Sequence, residues 1–184
     1  MNDIYLIFNY IKNKIIKQFY MEDNSNIKLI TKEKKEIEIS KKAVQLSELL
    51  KGAINDYPEE SKFPLNEVDE KMAEKIKEYL THFNGAAPPE IEKPLTQSEM
   101  KNLTDPWSAD FINNLPMEDL VNLTVAANYM GINCLLDLCC AKIASMCKDK
   151  TEEEVLKTFG INEPLTEEEK KKIKEENKWI DENL

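Results

Sequence analysis

The sequence predicts an α/β chain of the α+β kind, with strands gathered early and helices filling the rest. Three observations carry this. Apolar residues alternate with polar ones at Ile27, Leu29, Ile37 and Ile39, the two-residue period of half-buried strands. From residue 43 onward the apolar residues recur at three- and four-residue spacing, the period of amphipathic helices. Gly85, Pro88, Pro89 and Pro94 fall together and mark a loop between two helical stretches.

Taken in order, "IKLI" and "EIEI" are joined by the charged "TKEKK" and read as a hairpin. Ser40 is a candidate cap for a helix over "KKAVQLSELLKGAI", where Val44, Leu46, Leu49, Leu50 and Ala53 form a broad apolar face. "NDYPEESK" is a polar loop and "FPL" a short strand or an extended entry. Asp69 is a candidate cap for "EKMAEKIKEYLTHF", whose buried stripe is Met72, Ile76, Tyr79, Leu80 and Phe83. After the proline loop, "LTQSEMKNL" is a turn of helix, and "DPWSADFINNL" sets Trp107 and Phe111 four apart on a short one. Pro116 suits the first turn of "MEDLVNLTVAANYM". Gly131 followed by Ile132 fits a left-handed helix end with its apolar follower. Asn133 then caps "CLLDLCCAKIASMCK". "TEEE" occurs at 151–154 and again at 166–169, each a capping box that opens a helix with acids in its first turn.

Composition excludes several functions. The chain has 184 residues and a net charge of −10, and all 25 of its basic residues are lysine. Such an acidic surface repels nucleic acid and anionic lipid, and it lacks the two-pronged grip of arginine on phosphate or carboxylate. No apolar run approaches the ~20 residues of a membrane span. The four cysteines, at 134, 139, 140 and 147, form no C-x-x-C pair, and the single histidine, His82, is distant. Zinc spacing is absent. The cysteines read as small buried hydrophobes in a reducing compartment, cytoplasmic or nuclear. His82 has no evident nucleophile or orienting acid beside it, and the four glycines form no phosphate loop. No catalytic set and no cofactor or metal site is expected; a binding or scaffold role remains.

The segment "MNDIYLIFNYIKNKIIKQFY" lies apart from this pattern. Ile4, Phe8, Ile11, Ile15 and Phe19 could line one helical stripe, interrupted by Lys12, Lys14 and Lys17. It has the wrong order of charge and apolar core for a secretory signal. A disordered or non-essential extension is the favoured reading, with Met21 a candidate start; a weak membrane-surface helix is the minority one.

The run "VAANYMGINCLLDLCCAKIASMCKDKTEEEVLKTFGI" resembles the hallmark segment of the S-phase-kinase-associated adaptor family, and "LTEEEKKKIKEENKWIDEN" continues the likeness. Upstream, "IKLITKEKKEIEI", "AVQLSELL", "FPLNEV" and "YLTHF" followed by "PP" resemble that family's hairpin, first helix, third strand and proline loop, in collinear order from about Asn26. The resemblance implies a BTB/POZ fold with two added C-terminal helices: an extension at 1–25, a BTB/POZ-like unit at 26–147, and F-box-binding helices at 148–184. It implies an adaptor that joins F-box proteins to a cullin in SCF ubiquitin ligases. Carried over by position, it implies cullin contact at Asn128 and Tyr129. It implies F-box contact at Leu120, Val121, Leu136, Cys140, Ile143, Val155, Phe159, Ile173, Asn177 and Trp179. Thr124 departs from the family, standing where an apolar residue is usual. The alternatives are an elongin C-like adaptor or a self-associating BTB scaffold without an SCF role, and a weak homodimer of the free protein stays open. The two helices beyond the cysteines argue against the elongin C-like reading.

Overall fold

The computed structural model describes residues 25–161 and 165–178. The N-terminal stripe from Ile4 to Phe19 and the tail residue Trp179 therefore lie outside the described residues. Three strands form the sheet: β1 (Asn26–Ile30), β2 (Glu36–Ser40) and β3 (Lys62–Pro64), in the order β2-β1-β3. The hairpin is as expected, with Ile27 opposite Ile39 and Leu29 opposite Ile37. The "FPL" segment adds to the other edge of β1 in parallel, Phe63 beside Leu29. These five apolar side chains are buried on one face. The opposite face is charged: Glu36 accepts from Lys28 at 2.7 Å and from Lys62 at 2.6 Å, so one carboxylate ties all three strands together.

Seven helices follow among the described residues: α1 (Glu48–Asp56), α2 (Glu70–Phe83), α3 (Pro106–Asn113), α4 (Met117–Tyr129), α5 (Asn133–Cys147), α6 (Glu152–Thr158) and α7 (Glu167–Glu176). The caps at Asp69, Thr151 and Thr166 form as the sequence predicts, the latter two as full capping boxes. The single helix expected over 41–54 is instead two pieces. Ala43–Leu46 is a 3-10 turn whose first N–H bonds Ser40 Oγ, and Ser47 ends that turn in an extended conformation. Ser47 is the N-cap of α1.

The reason lies far along the chain. The Ser47 hydroxyl donates to the Met130 carbonyl at 2.7 Å and accepts the Leu50 N–H. The N–H groups of Glu48 and Leu49 donate to the carbonyls of Gly131 and Met130. The unfilled donors at the start of α1 thus meet the unfilled acceptors at the end of α4. Gly131 is left-handed at φ +61. Its N–H bonds the Asn128 carbonyl, and that of Ile132 bonds Ala127, the paired bonds of a Schellman turn. Gly160 and Ile161 close α6 in the same way.

Two further expectations change. Asn133 is the first residue of α5, not its cap, and its side-chain amide bonds the Glu48 carboxylate. Pro116 sits one position before α4, where its carbonyl accepts from Leu120. The core joins the inner sheet face to α2 through α5, with Tyr79, Leu80, Ile112, Leu123 and Leu135 fully enclosed. At its rim, Trp107 stacks between His82 and Phe111, with ring centroids 3.7 Å and 5.2 Å away. This matches the reading of His82 as a helix-end residue.

Candidate partner-docking surfaces

The helical half offers two apolar surfaces. The first begins on α4. Leu120, Leu123, Ala126 and Ala127 point inward and are buried. Val121, Val125 and Tyr129, at successive four-residue steps, are exposed by 45%, 65% and 37%. A helix turns ~100° per residue, so residues four apart share one row. Asn128, also exposed, adjoins the end of that row. Leu49 is exposed too, on the turn of α1 whose N–H bonds Met130.

The second surface lies on α5 to α7. Leu136 and Ile143 are half-buried and Cys140 is exposed, at spacings of four and three on one face of α5. On α6, Val155 and Phe159 are half-buried and four apart. Glu152 of α6 and Leu165, Lys170, Ile173 and Lys174 line an open cleft between α6 and α7. Ile173 remains exposed there, and the Asn177 side chain turns back to the Ile173 carbonyl at 2.8 Å. An ion pair between Lys170 and Glu152 spans the two helices.

The structure corrects two site readings. Leu120 is 1% exposed and belongs to the core, so it has no surface to give to a partner. It faces inward because it lies about 100° around the helix from Val121. The cysteines are not uniformly buried: Cys139 is enclosed, Cys134 and Cys147 are half-buried, and Cys140 is open to solvent. Burial pushes the Cys139 thiol up to about 12. Thr124 is half-buried; its hydroxyl bonds the Leu120 carbonyl and lies within reach of the Cys139 thiol. Its polarity is therefore spent within the α4–α5 pair. Sequence reasoning missed Val125, whose signal was available: it stands midway between Val121 and Tyr129 in the same row.

Among the described residues no three His, Cys, Asp or Glu side chains gather as a metal site would require, and no helix is long and apolar enough to cross a membrane.

Comparison with known proteins gives a consistent answer. Residues 25–85 match the Skp1 family tetramerisation domain and residues 133–180 the Skp1 family dimerisation domain. The chain is 42% identical over 159 residues to the S-phase kinase-associated protein 1 homolog of Tetrahymena thermophila, covering 86% of this chain and 96% of that protein. It is 32% identical to SCF ubiquitin ligase complex protein SKP1a of Dictyostelium discoideum, covering 85% and 96%. It is 31% identical to the E3 ubiquitin ligase complex SCF subunit sconC of Arthroderma otae, covering 85% and 95%. With both family domains in order and relatives aligned along most of its length, this chain belongs to the Skp1 family.

Proposed function

We propose that this chain is the adaptor subunit of an SCF-type ubiquitin ligase, bridging an F-box substrate receptor to a cullin scaffold and carrying no catalytic group of its own. The observation that carries the reading is the alignment of 86% of the chain with a relative named as an S-phase kinase-associated protein 1 homolog, together with two exposed apolar surfaces on one core. In this reading Asn128 and Tyr129 contact the cullin. Leu136, Cys140, Ile143, Val155, Phe159, Ile173, Asn177 and Trp179 contact the F-box. Val121 shares its row with Tyr129, and that placement favours the cullin side for it. An adaptor of this kind acts by holding two partners on one rigid frame, so that their encounter becomes intramolecular. Free thiols suit a cytoplasmic and nuclear setting.

The test is binding of a cullin N-terminal domain and of an F-box peptide to the same protein by calorimetry. Asn128→Ala with Tyr129→Ala should weaken the cullin about tenfold or more, an aromatic anchor at an interface contributing ~2 kcal/mol, and leave the F-box affinity unchanged. Equal loss of both in a folded variant refutes the two-surface assignment.

A further inference from the structure

The exposed row on α4 has a candidate occupant within this chain. Residues 1–20 carry Ile4, Phe8, Ile11, Ile15 and Phe19 at helical spacing, with Lys12, Lys14 and Lys17 against the single acid Asp3. Their side-chain charge is 3 − 1 = +2, so the remainder of the chain carries −10 − 2 = −12. Val121, Val125 and Tyr129 present an apolar row on that acidic remainder. Glu118 stands at the beginning of the row, and Glu48 abuts Gly131 at its end. An apolar row edged with lysine thus has a counterpart, an apolar row edged with glutamate.

The chain can reach. The Ser25 carbonyl accepts from the Lys41 N–H at 2.9 Å, and Ser47 bonds Met130 at the end of α4. Only residues 41–47 separate those two points, four of them in a 3-10 turn. Met130 is therefore within about 25 Å of Ser25. The six residues from Phe19 to Ser25 span up to about 20 Å, and the apolar segment adds its own length.

We propose that residues 4–19 dock through their apolar row onto Val121, Val125 and Tyr129 and shield that row until a partner displaces them. A tether of about six residues sets an effective concentration on the order of 1 mM. An intrinsic affinity of only about 0.1 mM would then keep the row about nine-tenths covered. The functional consequence rests on the cullin reading above: the segment competes with the cullin for one face of α4, and removing the competition strengthens cullin binding about tenfold.

Hydrogen exchange of residues 4–19 in the full chain tests this. The expected result is exchange about tenfold slower than in an unstructured chain, unchanged on dilution. Val125→Asp should restore the unstructured rate, and so, separately, should Ile11→Asp with Ile15→Asp. Val125 is 65% exposed, so its substitution leaves the core intact. The Ile11/Ile15 variant, in which α4 is unaltered, should bind a cullin N-terminal domain about tenfold more tightly than the parent. Unstructured exchange in the parent overturns the proposal, and so does protection that survives Val125→Asp. Protection that grows with concentration assigns the row to a second copy instead. Protection seen only with anionic vesicles assigns the segment to a membrane. If protection behaves as expected but no variant binds cullin, docking stands and the cullin reading fails.

Discussion

At Ser47 one buried hydroxyl joins two helix ends, donating to Met130 and accepting from Leu50. Ser47→Ala removes the α1 cap and leaves the Met130 carbonyl one donor short, in a site that water does not reach. Together these should cost about 2 kcal/mol, read as a lowered urea midpoint. The glycines give a second prediction of opposite signs. A Cβ at Gly131 would meet Glu48 Cβ at 3.0 Å and would sit at φ +61, so Gly131→Ala should destabilise by about 1–2 kcal/mol. Gly52 lies inside α1, and a methyl group there would have nothing within 4 Å. Gly52→Ala should therefore stabilise by about 0.5–1 kcal/mol. Thermal melts of the two variants should move in opposite directions.

Among the elements, the sheet has a pH-sensitive seam. Hydrogen bonds from Lys28 and Lys62 hold the Glu36 carboxyl down to about 2, below its ordinary 4.5. A folded-state value below the unfolded one favours the native state fully above pH 4.5, and that contribution is lost as pH falls towards 2. Glu36→Gln should flatten the dependence of melting temperature on pH across this window, leaving the slope above about pH 5 as it was. The last helix is stabilised locally. α7 has a full capping box, but Ile173 is its one apolar residue and is exposed. Thr166→Ala should remove about 1 kcal/mol from α7 alone, speeding its amide exchange and weakening an F-box complex while the global melt barely shifts. Signals confined to neighbouring residues were legible in the sequence: the hairpin alternation, the caps at Asp69, Thr151 and Thr166, the Gly131–Ile132 turn. The break at Ser47 was not, because its cause is Met130, 83 residues away. The parallel pairing of β3 was hidden for the same reason. Of the candidate site residues, the family resemblance marked Leu120 and Val121 alike by position, and only packing separates the buried one from the exposed one.

For the whole molecule, the adaptor reading asks the core to stay rigid while its two outer surfaces exchange partners. The arrangement suits that demand. α4 and α5 supply both the centre of the core and the first ranks of both surfaces, so partners are held at a fixed mutual geometry and not across a flexible joint. The α1–α4 junction has a further bearing on how the protein is made. On the ribosome, the N-terminal strands and α1 emerge long before residue 130. Until Met130 and Gly131 follow, the first N–H groups of α1 have no carbonyl to receive them, and the Ser47 hydroxyl has no long-range acceptor. The nascent sheet and first helices therefore wait, incompletely fastened, through the synthesis of more than eighty residues. A chain interrupted before α4 would expose the apolar face of α2 and offer the quality-control machinery an unlatched half-domain. The junction that fixes the finished shape also dates its completion.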